Sequence, residues 1–128
     1  MKVGELIAKA GGFVSANIHA PFSGTITKID TTIDAWGMKM PAIFMDVEGD
    51  EWLETIDRSN DIVRKLDYEP KAIIDKVQEA GIVGLGGACF PTHVKLMPPP
   101  GKTAEVLIVN GVECEPYLTC DHQLMLEK

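Results

Sequence analysis

No stretch of the 128-residue chain comes near the ~20 consecutive apolar residues that a membrane-spanning helix needs. The N-terminus also lacks the basic start and apolar core of a secretory signal. Any membrane association is therefore expected to run through partners. Basic residues are scarce: 12 Lys and Arg stand against 19 Asp and Glu, a net charge of −7. That balance argues against a nucleic-acid or anionic-membrane surface. The acid excess is heavier before residue 70 than after it, which places an anion site in the second half. Cysteine is sparse as well. Cys89, Cys114 and Cys120 are an odd number with no C-x-x-C pair. They suggest neither a disulfide framework nor tetrahedral zinc, and they fall short of the four ligands of an iron–sulfur cluster. They read as reduced thiols, and no metal site is expected.

What is present is enough apolar material, 45% of residues, for one average domain or two small ones. The pattern changes near residue 69. From Met1 to about Glu51, short segments such as GTITKI and AIFMDVEG are separated by glycine and proline, predicting strands and turns. Trp52 to Tyr68 is mostly polar with scattered apolar anchors and reads as a surface connection. From Pro70, PKAIIDKVQEAG sets Ile73, Ile74 and Val77 on one helical face, with proline in the first turn and Gly81 as the stop. A short helix over 91–96 is predicted next, then a buried strand over Glu105–Val109 ending at Asn110-Gly111. TCDHQLMLEK opens another helix. The expected organisation is a β-rich domain with its connection over 1–69 and the start of an α/β domain over 70–128.

Between the first two helices, Gly81, Gly84, Gly86 and Gly87 fall within seven positions, and Lys95 follows. Glycines without Cβ let backbone amides approach a ligand, and a helix start beside a lysine suits a phosphate. A close-packed helix–strand turn would also use glycine. The run matches neither G-x-x-x-x-G-K-[ST] nor a strand-first G-x-G-x-x-G, so spacing alone leaves both readings open.

GLGGACFPTHVK with NGVECEPYLTCD downstream resembles the flavoprotein family of respiratory complex I, whose patterns run GRGGAGFPTGLKW and NADEGEPGTFKD. It is most similar to the RnfC family of the Rnf electron transport complex, an ion-translocating ferredoxin:NAD oxidoreductase. FPTHVKL, ECEPYLT and the Thr-Cys-Asp-His sequel carry that likeness. VGELIAKAGGFVSANIHAPFSGTITKID resembles the barrel-sandwich hybrid, or lipoyl-like, domain that precedes the flavin fold in the family. The resemblance implies a mixed α+β chain: a lipoyl-like half, begun part-way, then the start of an FMN-binding α/β fold, cut short. It implies that Gly84, Gly86, Gly87, Ala88 and Lys95 hold the phosphate end of FMN. It further implies that Asn110, Glu113 and Glu115 line the flavin and nicotinamide pocket. Three positions depart from the complex I pattern: Leu85 replaces arginine, Cys89 replaces glycine and Val112 replaces aspartate.

The implied chemistry is hydride exchange between NADH and a flavin, followed by single-electron transfer to 4Fe-4S clusters expected only beyond Lys128. The flavin performs the organic step and no side chain need act as acid, base or nucleophile. The implied partners are the membrane-embedded and iron–sulfur subunits of the complex. The implied location is peripheral, on the cytoplasmic face of a bacterial inner membrane. As a fragment the chain is expected to be inactive alone. The competing reading is a non-catalytic docking module whose glycine loop binds no cofactor.

Single residues have ordinary readings too. Met38-Lys39-Met40 matches the tripeptide around a biotinylated lysine, but it follows Ala20-Pro21, whereas a carrier lysine precedes that segment. Gly11, Gly12 and Phe13 stand at the carrier position. His93 reads as a surface residue with phosphate contact as the alternative, and His19 as structural. Glu113 and Glu115, two apart, would share a face on an extended segment.

Overall fold

A computed structural model describes residues 1–85 and 87–127. Contacts divide the chain into two units, one of Met1–Ser59 with Tyr68–Met97, the other of Asn60–Asp67 with Pro98–Lys128. The architecture is mixed α+β, with small sheets and, among the described residues, no closed barrel.

The first unit holds two antiparallel pairs. β1 (Leu6–Ala8) pairs with β2 (Ile18–His19), and β3 (Gly24–Ile33) pairs with β4 (Lys39–Val47). β3 carries alternating Thr and Ile, which favour a pleated ribbon. The register of the long ribbon is set at its turn. There Asp34 accepts hydrogen bonds from the Trp36 and Met38 amides at 2.9 and 2.8 Å, and Gly37 takes φ +79. A short loop closed by a left-handed glycine matches the twist of the strands and locks Ile33 opposite Lys39. Lys39 therefore lies in the ladder, just past the turn, rather than at the apex where a carrier lysine is presented. Mass spectrometry after expression with biotin and lipoyl ligases is expected to show Lys39 unmodified. Stoichiometric modification there would overturn this placement.

The interior of the first unit is small and mostly tied by backbone. Among its described residues Val3, Ala20 and Pro91 are the buried apolar ones, and Ser23 is buried with its hydroxyl donating to the Glu48 carbonyl at 2.7 Å. Val3 is clamped against Glu51 and Leu53 by two backbone bonds, so the segment after β4 returns beside the N-terminal residues. Between the two strand pairs lies an apolar cleft of about 900 Å³, lined by Ile7, Ile18, Phe22, Ile29, Ile43 and Phe44 among others.

α1 (Pro70–Glu79) begins on proline, whose missing N–H is no loss in a first turn. It ends at Gly81, at φ +68, where the Gly81 amide donates to Gln78 and the Ile82 amide to Val77. That double closure is a Schellman motif, and its left-handed residue explains the glycine. The predicted strand at Glu105–Val109, in the second unit, is not formed. Val106 to Val109 are 75–85% exposed in irregular backbone. A strand exists only against a partner, and among the described residues none pairs with this segment. α3 (Cys120–Glu127) forms where the sequence predicts a helix.

Candidate functional site

The glycine-rich loop is pinched at its base. Val83 and Pro91 form an antiparallel bridge. The Gly84 amide donates to the Phe90 carbonyl at 3.0 Å, and the Thr92 amide to the Ile82 carbonyl at 2.9 Å. The residues between Gly84 and Phe90 are thus closed off as a loop. Gly87 takes φ +121, a backbone state open only to glycine, and a Cβ there would meet nothing within 4 Å. Cys89 takes φ +49. A left-handed residue costs a non-glycine roughly 1–2 kcal/mol, and this is the position where the complex I pattern has glycine. Gly86 lies outside the described residues. Ala88 and Leu85 are exposed.

α2 (Thr92–Leu96) begins one residue later than predicted, because Pro91 is extended and serves as the N-cap. With five residues it contributes little dipole. Lys95, on its last turn, is the cation nearest the loop base. The Lys95 ammonium sits 2.9 Å from where a Gly84 Cβ would stand, and 6.0 Å from the centre of the Phe90 ring. The bareness of Gly84 makes room for that charge against the loop base. Gly84 and Lys95 are thus brought together, while Gly84's own amide is consumed inside the loop.

His93 departs from its surface reading. It is 1% exposed, and its Nε2–H donates to the Phe13 carbonyl at 3.1 Å with the Phe13 ring edge-on against it. Nothing local in the sequence signals this, because the partner lies 80 residues away.

In the second unit, the Asn110 side chain accepts from the Val112 amide at 3.0 Å, an Asx turn. Glu113 and Glu115 are not on one extended segment: the backbone bends at 114–115 and turns over Pro116 and Tyr117, with Tyr117 at φ +69. The Glu113 carboxylate caps α3, accepting from the Asp121 and His122 amides at 2.8 and 3.1 Å. A carboxylate at that end satisfies orphan amides and complements the helix dipole. Its separation of seven residues from Cys120 hides it from any local capping pattern. Ligand atoms of Glu113, Cys120 and Asp121 lie within 4.8 Å of one another, but Glu113 already serves two amides there.

Residues 1–50 match the family model of the RnfC barrel sandwich hybrid domain, and residues 77–128 match that of the Nuo51 FMN-binding domain. The chain is 48% identical over 99% of its length to the C subunit of a proton-translocating ferredoxin:NAD(+) oxidoreductase complex from Clostridium ljungdahlii. It is 44% identical over 96% of its length to the corresponding subunit of the Na(+)-translocating complex from Acetobacterium woodii. It is 44% identical over 98% of its length to that of an ion-translocating oxidoreductase complex from Rhodobacter capsulatus. The chain spans about a quarter of the length of these relatives, 27%, 27% and 24% respectively. The two matches fall on the strand-rich and glycine-loop segments in the order the sequence resemblance implied. The chain belongs to the RnfC family of ion-translocating oxidoreductase complexes.

Proposed function

We propose that the chain forms part of an NADH-linked electron-transfer subunit, in which the loop after Ile82 holds the phosphate of FMN. The observation that carries this reading is the Lys95 ammonium lodged against Cβ-less Gly84, at the base of a loop whose Gly87 has a glycine-only backbone and open space beside it. Gly86, Gly87 and Ala88 would offer backbone approach, Gly84 the bare loop base, and Lys95 the balancing charge. For Asn110, Glu113 and Glu115, in the second unit, a role toward the flavin and nicotinamide rests on the family resemblance. Glu113 would act there from a carboxylate held by two helix amides. When bound, FMN supplies the passage between two-electron hydride chemistry and single electrons. The chain's part is to bind and orient it.

The 4Fe-4S clusters, the electron partners and the cytoplasmic face of the bacterial inner membrane belong to the same proposal. No helix among the described residues is long and apolar enough to cross a membrane, in keeping with attachment through other subunits. In the full-length protein, Lys95→Ala is expected to weaken FMN binding by about 1.5–3 kcal/mol, the range for a bond to a charged group. Lys95→Arg should recover most of it. Equilibrium titration followed by flavin fluorescence measures both, and equal affinity of parent and alanine variant would remove Lys95 from the site.

A second reading, a docking module without cofactor, is favoured by the apolar cleft between the strand pairs, where Ile18, Phe22 and Ile29 stand exposed. It predicts colourless full-length protein at saturating FMN, so flavin absorbance separates the two.

A further inference from the structure

The segment Ala10–Asn17 closes on itself: the Ala10 amide donates to the Asn17 side-chain oxygen at 2.9 Å and the Gly11 amide to the Ser15 hydroxyl at 3.3 Å. From that closed segment two polar bonds reach the helices that flank the glycine loop. The Asn17 side-chain amide donates to the Glu79 carbonyl at the end of α1, at 3.0 Å. The Phe13 carbonyl accepts from His93 on α2, at 3.1 Å. Gly81 tightens the first latch, because a side chain there would overlap the Asn17 carbonyl oxygen.

The two latches differ in surroundings. The Asn17 bond is exposed, whereas His93 is buried, with Phe13 edge-on at 6.3 Å between ring centres. A buried donor that loses its acceptor is costly, so the His93 latch is the harder of the two to break, and it is the one that holds α2. His93 precedes Lys95 by two residues on one helical turn. Whatever fixes the first fixes the direction from which the ammonium meets Gly84.

We infer that His93 is a positioning residue for the anion-binding loop, and that Ala10–Asn17 is the strap against which it fixes α2, Lys95 and the loop base. The position where a carrier domain presents its modified lysine is used here instead to hold a neighbouring ligand loop in shape. The inference rests on the proposed phosphate role of that loop for its functional consequence, and on unit-internal geometry for the strap itself.

The test uses His93→Leu and His93→Gln in the full-length protein. Leucine fills the space without a donor. Glutamine can place an N–H near the Nε2 position and donate to Phe13. Two readouts are taken: hydrogen exchange at the Gly84 and Thr92 amides, which close the loop base, and FMN affinity by fluorescence titration. We expect leucine to speed exchange at both amides and weaken FMN about tenfold, and glutamine to restore both to within about threefold of the parent. Unchanged exchange at Gly84 and Thr92 in the leucine variant would overturn the strap, as would equal behaviour of the two variants. If the parent itself binds no FMN, the flavin reading fails while the exchange measurement still decides the strap.

Discussion

Gly24→Ala is expected to destabilise the first unit by about 2–5 kcal/mol, combining left-handed backbone strain with overpacking against backbone. Gly24 opens β3 at φ +149, opposite Val47. A Cβ there would overlap the Asp46 carbonyl oxygen and stand 3.0 Å from the Val47 Cα. Both neighbours are main chain held in the ribbon ladder, so neither can rotate aside. The same residue also donates its amide to the Met1 carbonyl at 3.0 Å, so a shift at Gly24 propagates into the N-terminal segment. Gly11→Ala is the matched control. Nothing lies within 4 Å of its added methyl, and a change within about 0.5 kcal/mol is expected. Denaturant unfolding followed by circular dichroism measures both, and coincident midpoints would contradict the strand register.

Gly87→Val is expected to reduce FMN retention by the full-length protein at least tenfold while costing little global stability. A Cβ there would meet nothing within 4 Å, so the effect is expected to come from the backbone. A β-branched residue cannot hold φ +121, and the loop would have to adopt another path. Lys95→Ala leaves that path intact and removes only charge. Gly87→Val should therefore exceed Lys95→Ala in effect on flavin while changing the unfolding midpoint little. Cys89→Gly is the complement: it relieves the left-handed cysteine at φ +49 and should bind FMN no more weakly than the parent. A valine variant that retains flavin as the parent does would make the loop a packing turn.

The elements with local signals are legible in the sequence. β3 and β4 follow from β-branched alternation around a turn ending in Gly37, and α1 from its proline start and its left-handed glycine stop. What depends on distant partners is not. Glu105–Val109 has the composition of a buried strand, yet composition carries no information about whether a neighbouring strand is there to pair with it. His93 reads as solvated because its acceptor belongs to a segment far away in the sequence. Glu113 is readable as an acid beside a proline turn, but its capping of α3 depends on a fold-back that no S/T-x-x-E spacing announces. The candidate loop is legible as a glycine run with a lysine. That the Lys95 ammonium lies against Gly84, whose own amide is bonded to Phe90, emerges only in three dimensions.

Whether this loop holds the phosphate of FMN is decided by the flavin content of the full-length protein after saturation with FMN and removal of free flavin. Stoichiometric flavin absorbance is expected in the parent and in Gly11→Ala, reduced content in Lys95→Ala, and near loss in Gly87→Val with folding preserved. A folded parent that emerges colourless, or a Gly87→Val protein as yellow as the parent, would refute the phosphate role of the loop.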